Sequence, residues 1–227
     1  MGESATALQR LDEITRRLRT DCPWDREQDE RSIVPHTVEE AYELADAAHS
    51  GDDRKLLDEL GDVLFQVYFL SLLMEERGAG DLAAVAEHCR TKLIRRHPHV
   101  FGDAEVSDAA EVLRNWDDIK RAEEGRGGGL FADVPETLPG LLYARKLLRR
   151  AASGGRDWPR EGAAQRLRSE AERVGTLGSS EAEREASFEA VGDLLLAAVA
   201  LARELRVDPE LALRSAADRF RREMEEA

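Results

Sequence analysis

The chain has 227 residues, room for one large domain or two small ones, each able to bury its own core. Its 33 Lys and Arg against 47 Asp and Glu give a formal charge of −14, which argues against sequence-blind binding to nucleic acid polymers or anionic membranes. No apolar run approaches the length of a membrane span, and Cys22 and Cys89 have neither metal-ligand spacing nor the density of a disulfide scaffold, so the reading is a soluble cytoplasmic protein with two reduced thiols.

Apolar residues recur at helical spacing throughout, and bounded β-branched runs are missing, so the expected class is all-α. Leu8, Leu11, Ile14 and Leu18 make the stripe of a first helix. The stretch "TDCPWDREQDERSIVPH" then breaks periodicity at Pro23 and Pro35 and reads as a structured loop. Thr37 and Glu40 have capping-box spacing and open a helix of about three turns that ends near "SGDD". A long helix follows over 53–77, then one near 81–96, the break "HPHVFGD", and another near 107–124. These four helices could close a bundle.

The glycines of "EEGRGGGLF" supply a hinge, so the chain divides into a first module over 1–124, a linker over 125–138 and a second module over 139–227. Helices are expected there near 139–153, 162–174 and 181–205, with a last one from 208 to the end. "ELGDVLFQVYFLSLLMEERG" and "AVGDLLLAAVALARELRV" share a Gly-Asp pair opening a long apolar helix, which suggests an ancient duplication.

Two groups of acids stand out. Glu39, Glu40 and Glu43 fall on one arc of their helix, with Val38, Ala41, Tyr42, Ala45 and Ala48 expected to cover the opposite side. On the next helix Lys55, Glu59, Asp62 and Gln66 form the one polar stripe of an otherwise apolar surface, so that helix is expected to be mostly buried. Carboxylates drawn out of water need a compensating positive charge, and Lys55 cannot neutralise two. If the two helices pack antiparallel, four or five carboxylates meet in one small volume. A cluster of oxygen ligands without Cys or His selects a hard divalent cation such as Mg²⁺, with substrate phosphates completing its shell.

E-E-x-x-E followed sixteen residues later by E-x-x-D resembles the signature of the all-α nucleoside triphosphate pyrophosphohydrolases. With "CPWDREQ", "TVEEAYEL", "DELGDVLFQV", "RRHPHVF" and "NWDDIK" in this order, residues 7–124 closely resemble the MazG family, and the remainder resembles the family's second copy of the module more weakly. The resemblance implies tandem helical-bundle modules and Mg²⁺ as cofactor, with Mn²⁺ a substitute. It implies that Glu40, Glu43, Glu59 and Asp62 are metal ligands and that Glu39 orients or deprotonates the attacking water. It also implies that Lys55, Lys92 and Arg96 lie against the acids and the triphosphate, and that Trp116 and Lys120 contact the nucleotide. His36 stands where some relatives have a lysine. On general grounds Trp24 or Trp116 could stack on a base.

In the second module the counterparts of Glu39, Glu40 and Glu43 are Ser169, Glu170 and Arg173, and those of Glu59 and Asp62 are Ala190 and Asp193. Arg173 already supplies a positive charge there, so that module is expected to be degenerate and catalysis to sit in the first. The expected reaction is hydrolysis of a nucleoside triphosphate to monophosphate and pyrophosphate, with broad base tolerance serving nucleotide-pool house-cleaning. The alternatives are a dUTP- or dCTP-specific pyrophosphatase and a nonenzymatic helical module stabilised by metal. A ferritin-like di-iron site would need Glu-x-x-His pairs, which the chain lacks. The long apolar helix further suggests a homodimer with the site near its interface.

Overall fold

A computed structural model describes residues 2–123, 129–132, 134–159, 161–178 and 183–226. Among them every regular element is a helix: α1 (Glu3–Asp21), α2 (Pro23–Glu27), α3 (Glu30–Ser50), α4 (Asp53–Glu76), α5 (Leu82–Arg96), α6 (Pro98–Phe101), α7 (Ala109–Glu123), α8 (Gly140–Ser153), α9 (Ala163–Gly175), α10 (Arg184–Glu204) and α11 (Pro209–Glu226). The chain forms two compact units, Met1–Ala104 and Glu105–Ala227. The sequence places the boundary at 125–138, part of which (125–128 and 133) lies outside the described residues, as does 124. In the structure α7 groups with the second unit, because buried Asp117 pairs with Arg149 at 3.5 Å and Arg150 at 3.4 Å on α8 and accepts from Ser153 Oγ at 2.8 Å. The principal helices of the first unit are therefore α1, α3, α4 and α5.

The expected loop before residue 37 is largely helical. Pro23 opens α2 at its first turn, where a missing N–H costs nothing. Asp29, rather than Thr37, starts the next helix: its carboxylate accepts from the Arg31 and Ser32 amides, both at 2.9 Å, and Ser32 Oγ accepts from the Asp29 amide at 2.9 Å. This reciprocal cap carries α3 through Pro35 at the loss of one backbone hydrogen bond. Thr37 Oγ1 instead donates to the Ile33 carbonyl and to Gln66 Oε1, both at 3.4 Å, the latter joining α3 to α4.

Gly51, with φ of 70°, ends α3 in the left-handed conformation that a side chain would strain. Asp52 then caps α4 at the Arg54 and Lys55 amides. A reversal this short folds α4 back along α3, the pair that positions the acids. Ile33, Phe69 and Leu73 form the buried centre of the unit, with Phe65 and Leu70 against it. The end of α4 is fastened to α1 by two forked ion pairs: Arg16 donates to both oxygens of Glu75 at 3.1 and 2.6 Å, and Arg19 to both of Glu76 at 2.8 Å.

Burial differs from expectation at two places. The buried residues of α4 all lie in its second half (Gln66, Tyr68, Phe69, Ser71, Leu72 and Leu73), while Leu57 and Leu60 in the first half, and Val67 beyond them, are exposed. On α3 the inward stripe is Ile33, Thr37, Glu40, Leu44 and Ala47, while Val38, Ala41 and Ala48 face outward. Glu40 thus lies on the packing seam itself, not on a face opposite the core.

The second unit is centred on Leu148, Ala163, Val199 and Ala200, with Leu141, Ala144, Trp158, Leu196 and Leu201 packed around them. Here α9 packs on α10 as α3 packs on α4.

Candidate active site

The hairpin of α3 and α4 brings Glu40, Glu43 and Glu59 together, each offering one carboxylate oxygen within 4.8 Å of the others. Burial raises the Glu40 carboxyl above the usual range, and the charges of Asp62, Glu43, Glu59 and Glu39 raise it further. Glu59 is raised by desolvation first, then by Glu43, Asp62 and Asp58, with Lys55 opposing. Asp62 therefore stands close enough for its charge to act on both, although it is not one of the three converging oxygens and is itself exposed. Glu59 Oε2 is buried and accepts no hydrogen bond among the described residues. Such an oxygen is costly unless a cation meets it, and an all-oxygen donor set suits a hard dication, so these residues fit the metal expected.

Glu39 sits on the rim, two-thirds exposed, with Oε2 3.1 Å from His36 Nδ1. The His36 ring in turn meets Trp24 edge-on, centroids 6.0 Å apart. The chain Trp24–His36–Glu39 next to the acid cluster gives His36 a place that sequence alone leaves open; its i, i+3 spacing to Glu39 was the available signal. Lys92 and Arg96 are both half-buried on α5, which packs on α4.

Trp116 and Lys120 lie on α7 in the second unit, where Lys120 Nζ and the Arg149 guanidinium sit 5.9 and 6.0 Å from the centre of the Trp116 ring. That unit also resolves the contrast between the two acid sets. Arg173 donates to Glu170 at 2.7 Å and to Asp193 at 2.6 Å, and Arg166 reaches Glu170 at 2.7 Å. Glu170 is only 5 % exposed and Ala190 only 1 %. A guanidinium thus stands between the two carboxylates that remain.

Residues 28–101, all within the first unit, match the model of the MazG nucleotide pyrophosphohydrolase domain. The nucleoside triphosphate pyrophosphohydrolase of Escherichia coli K12 is 39 % identical over 96 % of this chain and 86 % of its own length. The nucleoside triphosphate pyrophosphohydrolase/pyrophosphatase MazG of Thermotoga maritima is 38 % identical over 97 % and 85 %. The crystal structure of a mazG-related protein from Thermotoga maritima covers 50 % of this chain and 98 % of its own, with 25 % identity and a TM-score of 0.44. The chain belongs to the MazG family of nucleotide pyrophosphohydrolases and is an enzyme. No helix among the described residues is long and apolar enough to cross a membrane.

Proposed function

We propose that the enzyme hydrolyses nucleoside triphosphates to the monophosphate and pyrophosphate in a Mg²⁺-dependent reaction, with wide tolerance of the base, as a cytoplasmic house-cleaning activity on the nucleotide pool. The observation that carries this reading is the convergence of carboxylate oxygens of Glu40, Glu43 and Glu59, together with a buried Glu59 Oε2 that accepts no hydrogen bond among the described residues. Together with Asp62 these residues would hold the metal. A dication bound there supplies Lewis acidity and neutralises triphosphate charge that an acidic protein would otherwise repel.

The remaining roles belong to the chain itself. Glu39, held by His36, takes the proton of the attacking water as its oxygen bonds to phosphorus and the bond between the α and β phosphates breaks, releasing pyrophosphate. Lys55, Lys92 and Arg96 grip phosphate oxygens through charge-assisted hydrogen bonds. Trp24, 52 % exposed beside His36, offers an indole face to a base of any identity. The assignment of Trp116 and Lys120 to nucleotide contact rests on their motif alone. The uncovered Leu57, Leu60 and Val67 of α4, with Val38 of α3, are where we place the contact of a homodimer.

A panel of ribo- and deoxyribonucleoside triphosphates with Mg²⁺ tests the reading, following both monophosphate and pyrophosphate. Comparable turnover of several bases is expected, and none in chelator. Strong preference for dUTP or dCTP would replace the broad activity with a base-specific one. Release of orthophosphate in place of pyrophosphate would overturn the bond assignment.

A further inference from the structure

The motif "CPWDREQ" folds as α2, a helix of 5 residues, too short to be stable through its own hydrogen bonds. It nevertheless carries Trp24, 52 % exposed, directly before the buried Asp25. The support comes from Arg19 on α1. Its Nη1 donates to the Asp25 carbonyl at 2.5 Å and to the Gln28 carbonyl at 3.0 Å, at the end of α2 where the last carbonyls of a helix need outside donors. Gln28 Nε2 donates in turn to the Trp24 carbonyl at 2.8 Å. The backbone that bears the indole is thus tied through Gln28 to Arg19.

The other side of the guanidinium is anchored on α4. Nε and Nη2 fork onto both oxygens of Glu76, each at 2.8 Å, and the group lies 5.8 Å from the centre of the fully buried Phe69 ring. These bonds use four of its five N–H donors, a set that a lysine cannot reproduce. Arg16, three residues earlier, is a built-in comparison. It makes the same forked pair with Glu75 and so joins α1 to α4, but its other side-chain bond goes to Asp12 of its own helix. Arg19 differs in its two bonds to α2, which joining α1 to α4 does not require.

We propose that Arg19, acting with Gln28, is a positioning residue for nucleotide binding: it presents the Trp24 indole, beside His36 and Glu39, at a fixed place for the base. The proposal rests on the reading of Trp24 as a base platform. A platform ordered in advance need not be ordered by the ligand, so loss of its support falls on KM and not on kcat.

Initial rates of pyrophosphate release by the full chain with Mg²⁺, from ATP and from CTP, test this. Arg19→Lys, which keeps a charge opposite Glu76, should raise KM about fivefold for both nucleotides with kcat unchanged, and Gln28→Ala should raise it in the same sense. Arg16→Lys should leave KM at the wild-type value. Placed on Trp24→Ala, Arg19→Lys should add no further rise. Unchanged KM in both Arg19→Lys and Gln28→Ala, where Trp24→Ala raises it, would overturn the proposal, as would an equal rise in Arg16→Lys or full addition to Trp24→Ala. Should Arg19→Lys fail to fold, Gln28→Ala decides by itself, alone and on Trp24→Ala. If Trp24→Ala leaves KM unchanged, the platform reading falls and takes the proposal with it, a result distinct from the others.

Discussion

Arg173 on α9 donates to Asp193 on α10 at 2.6 Å, where the aligned pair in the first unit is Glu43 and Asp62. One side-chain exchange thus puts a guanidinium where the first unit has a carboxylate. Arg173→Met should lower the melting temperature, because Glu170 is buried and would keep only Arg166, while turnover stays at the wild-type level. A variant that melts as the wild type does, or that loses activity, would show that the arginine is not a structural counter-charge.

The first unit makes the opposite forecast for pH. Glu40 and Glu59 hold protons more tightly in the folded chain than in the unfolded one. Their contribution to stability is full below the ordinary glutamate value of about 4.3 and is lost as pH rises through the raised folded values. Metal-free protein should therefore gain stability at neutral pH from Glu59→Gln, with the difference between the two melting curves vanishing in acid. Mg²⁺ should raise the melting temperature of the wild type and have little effect on the variant. The opposite order at neutral pH, measured by calorimetry in chelator, would count against mutual repulsion in the cluster.

Helix α3 owes its start to Asp29, so Asp29→Ala should lower the melting temperature by more than a change at an ordinary exposed position. In the core, Phe69→Ala, at a side chain with 0 % exposure, should cost about 3–5 kcal/mol in urea denaturation. A loss below ~1 kcal/mol would mean that the α3–α4 seam packs differently.

Trp24→Ala should raise KM about tenfold across all bases with little change in kcat, as loss of a stacking platform would. A change confined to one base, or falling on kcat alone, would give the indole a different role.

The all-helical class and the convergence of Glu40, Glu43 and Glu59 were legible because both follow from periodicity and from the cost of burying charge. Three features were not. Helix α3 is capped at Asp29, eight residues before Thr37, because the Asp29–Ser32 cap uses a Ser at N3 where the expected pattern has Glu or Gln. Glu40 lies on the packing seam because register against α4, a tertiary property, decides which arc faces inward. The grouping of α7 with the second unit depends on Asp117 reaching Arg149 and Arg150, a pairing across more than thirty residues that no local pattern encodes.

Whether the first-unit acid cluster is the active site is decided by pyrophosphate release from a nucleoside triphosphate with Mg²⁺, compared between Glu59→Ala and Asp193→Ala. Glu59→Ala should lose roughly three orders of magnitude in kcat/KM, the several kcal/mol that a cation site contributes, while Asp193→Ala keeps wild-type turnover. Equal losses from both, or full activity in Glu59→Ala, would contradict that assignment.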